Sequence, residues 1–136
     1  MIVIVTGSRY LMNSIRVRRH LNRMSAEARL KSEPLNVLVG DCPTGADHFA
    51  REWAREREGR GVTLTVFAAD WDRHGKAAGP IRNERMIVRS LEWASNASTK
   101  ARCLAFPKVG QANRGTLGCA ELALINDIET DHYWGV

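Results

Sequence analysis

Short apolar runs alternate with longer segments whose apolar residues recur at helical spacing along all 136 residues. The first run, Ile2-Val3-Ile4-Val5, ends at Thr6-Gly7. Unbroken β-branched residues leave no polar face, which predicts a strand covered on both sides, as in a parallel sheet. A helix is predicted from about Asn13, with Val17, Leu21, Met24 and Ala28 as its buried stripe. Glu33-Pro34 breaks it. Val37-Leu38-Val39 repeats the strand pattern and ends at Gly40. A second helix starts near Gly45, with Ala46, Phe49, Ala50, Trp53 and Ala54 as its apolar face. Thr44 and Asp47 at its start are spaced much like a capping box. Gly59 and Gly61 end that helix, and Val62 to Phe67 is the third strand.

The polar stretch that follows reads as a glycine-rich loop from Asp70 to Gly79. A third helix is predicted from Pro80, a favoured first-turn residue, burying Ile87, Val88, Leu91 and Ala94. Ser95 to Lys100 is a polar turn, Arg102 to Phe106 a fourth strand, and Pro107 to Gly115 a loop. The last helix begins near Thr116, with Leu117, Leu124 and Ile128 on one side, and Tyr133-Trp134 is a short terminal strand. Strands alternating with helices at this period predict an α/β fold: a Rossmann-like open parallel sheet with helices on both faces, as a single domain over residues 1–136. Ligands of such sheets sit beyond the carboxyl ends of the strands.

Every chemically suggestive segment falls at one of those ends. Gly7-Ser8-Arg9 follows the first strand and offers a tight turn, a hydroxyl and a guanidinium suited to phosphate. Gly40-Asp41 and Gly45-Ala46-Asp47 surround the exit of the second, where Asp41 is placed to bond a sugar hydroxyl. Asp47 either contacts ligand or caps the helix. After the third strand come Trp71, a platform for a base, then Gly75, Lys76 and Gly79. Arg82 and Asn83 lie in the first turn of the third helix. A helix N-terminus entered through glycines presents free N–H groups and a positive dipole end to an anion. A cation such as Arg82 is disfavoured there unless an anionic partner offsets it. That partner is either a ligand or one of Asp70, Asp72 and Asp47. Asn113-Arg114-Gly115-Thr116 forms a last turn at the exit of the fourth strand.

The spacing DWxxxGxxxGPxRNxxM over residues 70–86, with GSR at 7–9 and GDxPxGAD at 40–47, resembles the SLOG superfamily, specifically its short bacterial and phage YspA-type branch. That Rossmann-like group also holds the LOG phosphoribohydrolases and the DNA-processing protein DprA. The resemblance implies a nucleotide or nucleotide-derived ligand bound by Gly7, Ser8, Arg9, Gly40, Asp41, Gly45, Asp47, Trp71, Gly75, Lys76, Gly79, Arg82, Asn83, Gly115 and Thr116. It also implies a homo-oligomer. The RNxxM element is similar to the RKxxM element of LOG enzymes, whose arginine sits at the phosphoribosyl end of the ligand. Gly115-Thr116 matches part of their PGGxGTxxE loop, but Asn113 and Ala112 replace two glycines and Cys119 takes the place of the catalytic glutamate. Three function classes follow: a ligand-binding or sensing module, an enzyme cleaving the N-glycosidic bond of a nucleoside monophosphate, and a DprA-like DNA binder. For the enzyme, Arg82 with a carboxylate from Asp41, Glu84 or Glu121 would stabilise the developing oxocarbenium ion.

Charge changes this picture only slightly. The net charge is +5, supplied mainly by arginine; the lysines are Lys31, Lys76, Lys100 and Lys108. In Arg51-Glu52, Arg55-Glu56 and Arg57-Glu58 the signs alternate, as on a solvated helix face. Arg16, Arg18, Arg19 and Arg23 form a one-sign cluster that keeps DNA binding as an alternative, although a small nucleotide is favoured as partner over nucleic acid. No apolar run reaches the ~18 residues of a membrane span, and no basic leader opens the chain. Three scattered cysteines without a CxxC pair predict neither zinc nor a disulfide framework, which fits a cytoplasmic protein. There is no GxGxxG after the first strand and no GxxxxGK[ST], and neither a metal nor a resident cofactor is expected.

Overall fold

The computed structural model describes residues 1–136. Five parallel strands form one sheet: β1 (Ile2–Gly7), β2 (Leu35–Gly40), β3 (Val62–Phe67), β4 (Ala101–Phe106) and β5 (Glu129–His132). Their spatial order is β3-β2-β1-β4-β5, so the winding direction reverses at β1, which pairs with β2 on one edge and β4 on the other. The fold is the α/β Rossmann-like arrangement the alternation predicts.

The helices are α1 (Ile15–Leu30), α2 (Gly45–Arg55), α3 (Trp71–His74), α4 (Ala78–Asn96) and α5 (Arg114–Ile125). Successive strand residues point to opposite faces, and the two faces have separate cores. Val3 and Val5 meet Val17, Leu21, Met24, Ala50 and Trp53 of α1 and α2. Ile2 and Ile4 meet Met86, Ile87, Cys119 and Ala123 of α4 and α5. No helix is long and apolar enough to cross a membrane.

Several elements depart from the expected pattern. Residues 71–77 are helical rather than a loop: α3 is capped by the Asp70 side chain, which accepts from Arg73 N–H, and a 3₁₀ turn over Gly75–Ala77 leads straight into α4. Helix α4 therefore starts before Pro80, at Ala78, whose N–H already donates to Gly75 O. Its buried stripe includes Gly79, Asn83, Met86, Ile87, Ser90 and Ala94, whereas Val88 and Leu91 are exposed. Small and polar residues fill the tight α4–sheet contact, and a pattern scored on large apolar side chains misses them. Likewise α5 buries Thr116, Cys119, Ala120 and Ala123 and exposes Leu124, while Ile128 is buried beyond its end. Helix α1 begins at Ile15, its N–H held by Asn13 Oδ1 at 2.8 Å. The last strand ends at His132, before Tyr133-Trp134. Thr44 makes no capping bond; its hydroxyl donates to Arg9 O at 3.0 Å.

Glycine is required where α2 starts against the exit of β1. Gly45 has φ +72°, and a Cβ there would lie 2.1 Å from Ser8 O. In mid-α5, a Cβ on Gly118 would meet nothing within 4 Å. Gly45→Ala is expected to lower unfolding free energy by more than about 2 kcal/mol. Gly118→Ala should raise it by about 0.5–1 kcal/mol, since alanine is the better helix former. Urea denaturation of both variants checks this; equal effects would refute the close approach at Gly45.

Candidate functional site

A cleft of about 620 Å³ opens at the carboxyl edge of the sheet, over the reversal at β1. Such a volume suits a small molecule. The exits of β1, β2 and β4, the entries of α2 and α5, and one face of α3 and α4 form its walls. The β1 exit is fixed on two sides: Ser8 N–H donates to Phe106 O at 3.0 Å, and Ala46 N–H to Ser8 O at 3.1 Å. The first bond ties it to β4, the second to α2. The Ser8 hydroxyl accepts from Tyr10 N–H at 3.1 Å, turning the chain out past Arg9.

Of the residues singled out in the sequence, Gly7, Ser8, Arg9, Gly40, Asp47 and Trp71 line the cleft, as do Lys76, Gly79, Arg82, Asn83, Gly115 and Thr116. Asp41, Gly45, Gly75, Glu84 and Glu121 do not. Gly45 supports the wall from behind, through the close approach to Ser8 described above. Glu84 is exposed beside the outward-facing Arg85 and Val88 of α4. Glu121 is exposed on α5, whose cleft-side turn ends at Thr116. Cys119, at the position of the LOG glutamate, is fully buried beneath the cleft beside Cys103 and Thr6. Tyr10 and Gln111, which the sequence reading passed over, also line the cleft; both sit in irregular loops without periodicity to mark them.

Arg82 is largely enclosed, its side chain 14% exposed. Its partner is none of Asp70, Asp72 and Asp47. Nη1 donates to Asp41 Oδ1 at 3.0 Å and Phe67 O at 3.4 Å, and Nε donates to Asn83 Oδ1 at 2.8 Å. Asp41 Oδ1 also accepts from Ala69 N–H at 3.4 Å. Asp41, expected at a sugar, thus bonds the arginine through Oδ1 and lies outside the cleft lining. Asn83 continues the chain of contacts by donating to Gly115 O at 3.4 Å, which ties α4 to the entry of α5.

The carboxylate that does face the cleft is Asp47, the sole acidic side chain among its lining residues. Asp47 is 7% exposed. Burial pushes its carboxyl from the ordinary 3.8 up to about 6, against the pull of Arg82, the Cys42 N–H and Arg51 and with a push from Asp41. Glycine at position 40 makes room for this arrangement. A Cβ there would stand 2.6 Å from both Arg82 Nη1 and Asp47 Oδ2. Arg51 lies behind, donating to Gly40 O at 3.0 Å.

Arg9, Lys76, Arg82 and Arg114 are the basic side chains of the cleft lining. The entry of α5 adds backbone donors. Asn113 adopts a left-handed conformation (φ 54°) and turns its side chain back to Lys108 and Gln111 rather than capping the helix. The first α5 N–H bonded to the preceding turn is that of Leu117, to Asn113 O at 2.8 Å. The N–H groups of Gly115 and Thr116 therefore meet no protein acceptor, and the 5%-exposed Thr116 has no hydrogen bond to its hydroxyl. Unsatisfied donors at a helix start are an anion site. Trp71, 53% exposed, lies over Gly79 at the other wall. No cluster of His, Cys, Asp and Glu is placed to hold a metal ion.

The arginine cluster on α1 is largely engaged elsewhere. Arg18 pairs with Glu56 at 2.6 Å, Arg16 bonds Trp134 O, and Arg23 contacts His20.

The family model described as "YspA, cpYpsA-related SLOG family" matches residues 1–74, a segment that carries Gly7–Arg9, Gly40–Asp47 and Trp71. The chain is also similar to the Gene 61 protein of Mycobacterium phage D29, 35% identical over 107 residues, which covers 77% of this chain and 75% of that protein. No solved structure matches.

The raised carboxyl of Asp47 has a consequence for stability. Between about pH 4 and about 6 the folded chain holds a proton on Asp47 that the unfolded chain has released. Stability therefore falls as pH rises through that window and levels off above it. Asp47→Asn is expected to remove this slope. It should stabilise the ligand-free protein near pH 7 by about 2–3 kcal/mol at most, at ~1.4 kcal/mol per unit, and leave it unchanged near pH 4. Thermal melts across pH check this; an unchanged slope in the variant would refute the buried carboxylate.

Proposed function

This chain belongs to the YspA, cpYpsA-related SLOG family, and from that premise we propose that its cleft binds a nucleotide-derived small molecule through the ligand's phosphate. The observation that carries the reading is the entry of α5. There the free N–H groups of Gly115 and Thr116, the unpartnered Thr116 hydroxyl and the Arg114 side chain converge on one wall of the cleft. This replaces the entry of α4 as the phosphate seat, because the 3₁₀ turn already satisfies the first donor there. Arg9 and Lys76 supply further positive charge from the β1 exit and the turn before α4, and Trp71 offers a half-exposed ring for a base to stack on.

Binding or sensing is favoured over glycosidic cleavage. The glutamate position of the related hydrolases is the buried Cys119, and Glu84 and Glu121 stand outside the cleft. A small ligand is favoured over DNA, since Arg16, Arg18 and Arg23 of α1 are engaged with Trp134 O, Glu56 and His20, and all four α1 arginines lie apart from the cleft lining.

Two variants test the phosphate seat. Arg114→Ala and Thr116→Val are each expected to weaken binding of adenosine 5′-monophosphate (AMP) by about 1–3 kcal/mol, as for lost hydrogen bonds to a charged group. Melting of the ligand-free protein should move little for Arg114→Ala. Isothermal titration calorimetry reads the affinities. Undiminished AMP affinity in both would contradict the reading. So would duplex DNA binding whose salt slope collapses when Arg16, Arg18, Arg19 and Arg23 are neutralised.

A further inference from the structure

We propose that Asp47 reads the sugar of the bound nucleotide, accepting hydrogen bonds from its free 2′- and 3′-hydroxyls. The cleft then selects a ribonucleotide with an unsubstituted sugar edge. The inference rests on the cleft being a nucleotide site and adds the class of nucleotide it takes.

Asp47 Oδ2 accepts from Cys42 N–H at 3.3 Å, but Oδ1 has no hydrogen bond from the protein and is not sealed from the cleft. A carboxylate removed from water with an oxygen unpaired costs free energy until a donor arrives. The neighbouring cations do not fill that role: Arg82 directs Nε to Asn83 and Nη1 to Asp41 and Phe67 O, Arg51 directs Nη1 to Gly40 O, and neither bonds Asp47. An ionised carboxylate only accepts, so what completes Asp47 must donate.

Position and charge then narrow the donor. Asp47 sits in the first turn of α2, at the β2 exit, while the phosphate seat lies at the start of α5 beyond β4; β1 runs between those strands. A nucleotide with its phosphate on α5 and its base on Trp71 presents its sugar to the remaining wall. In open α/β sheets an acid after the second strand commonly holds ribose hydroxyls. Asp41 holds the more obvious sequence position for that role but lies outside the cleft lining, with Oδ1 on Arg82 and Ala69 N–H. The same negative charge disfavours a ligand phosphorylated at the sugar edge. A nucleotide inside a DNA or RNA strand carries such a 3′-phosphate, so Asp47 also turns the cleft away from polymers.

Calorimetry near neutral pH with AMP, 2′-deoxyadenosine 5′-monophosphate, adenosine 3′,5′-bisphosphate and inosine 5′-monophosphate, on the wild type and on Asp47→Ala, which removes the acceptor, tests this. The wild type should bind AMP at least about tenfold more tightly than the deoxy compound, and more tightly than the bisphosphate. In Asp47→Ala the first two should bind alike and the bisphosphate penalty should shrink. Equal wild-type affinity for AMP and its deoxy analogue overturns the inference. So does a sugar preference that survives in Asp47→Ala. A variant in which only the AMP-to-inosine-monophosphate ratio changes would show that Asp47 reads the base, which also overturns it. Failure of the wild type to bind any of the four would overturn the nucleotide reading itself.

Discussion

The parallel pairing of β1 on both of its edges is the constraint from which the remaining architecture follows. Ile2, Ile4, Val3 and Val5 are at most 1% exposed, and each buried aliphatic side chain of this size contributes roughly 1.5–3 kcal/mol. With β2 on one side and β4 on the other, the strand's two faces demand separate helix layers. Because the chain winds outward in opposite directions from it, the connections leaving β1 and β4 diverge, and the gap between them is the cleft. The close contacts at Gly7 and Gly45 follow from this as well. A Cβ on Gly7 would meet Ala46 Cβ at 2.4 Å, so α2 begins almost on top of the β1 exit.

That crowding places charges that would otherwise stay in water. Asp41 follows β2 and Asp47 lies in the first turn of α2, and one arginine from α4 reaches toward both beside Gly40. Arg82 bonds Asp41 and only influences Asp47, whose second oxygen stays unused. An acid held in this way weakens the empty protein. Such strain is expected where a ligand restores the balance. The cleft is consequently bipolar: Arg114 and the α5 donors on one wall, Asp47 on another, with Arg9 and Lys76 among the lining residues. A phosphorylated molecule with a neutral, donor-rich end matches that polarity.

The strands, the parallel sheet and the gathering of motifs at its carboxyl edge were legible in the sequence, because β-branched runs ending in glycine carry both messages at once. Side-chain partners were not. The sequence marks Arg82 as out of place at a helix start, yet its partner Asp41 comes from a turn 41 positions away that no periodicity connects to it. The Asp70–Gly79 stretch looked like a loop because its glycines and charges mask an Asp70-capped helical turn. The buried faces of α4 and α5 leave out Val88, Leu91 and Leu124, which the apolar pattern selects, since Gly79, Asn83, Ser90 and Thr116 are buried there instead. The choice between Asp47 as cap and Asp47 as ligand contact was open in the sequence; Thr44 makes no cap, and Asp47 receives Cys42 N–H from the loop.

The central claim is that a nucleotide seats its phosphate on the start of α5 while its sugar approaches Asp47. Backbone amide NMR during titration with AMP tests it most directly, because the donors in question are themselves observed. Saturable shifts are expected at Gly115 and Thr116, accompanied by shifts at Cys42 and Asp47, with the α1 amides around Arg16 to Arg23 unmoved. Shifts centred on α1, or on the Gly75–Gly79 turn with Gly115 and Thr116 silent, would contradict it.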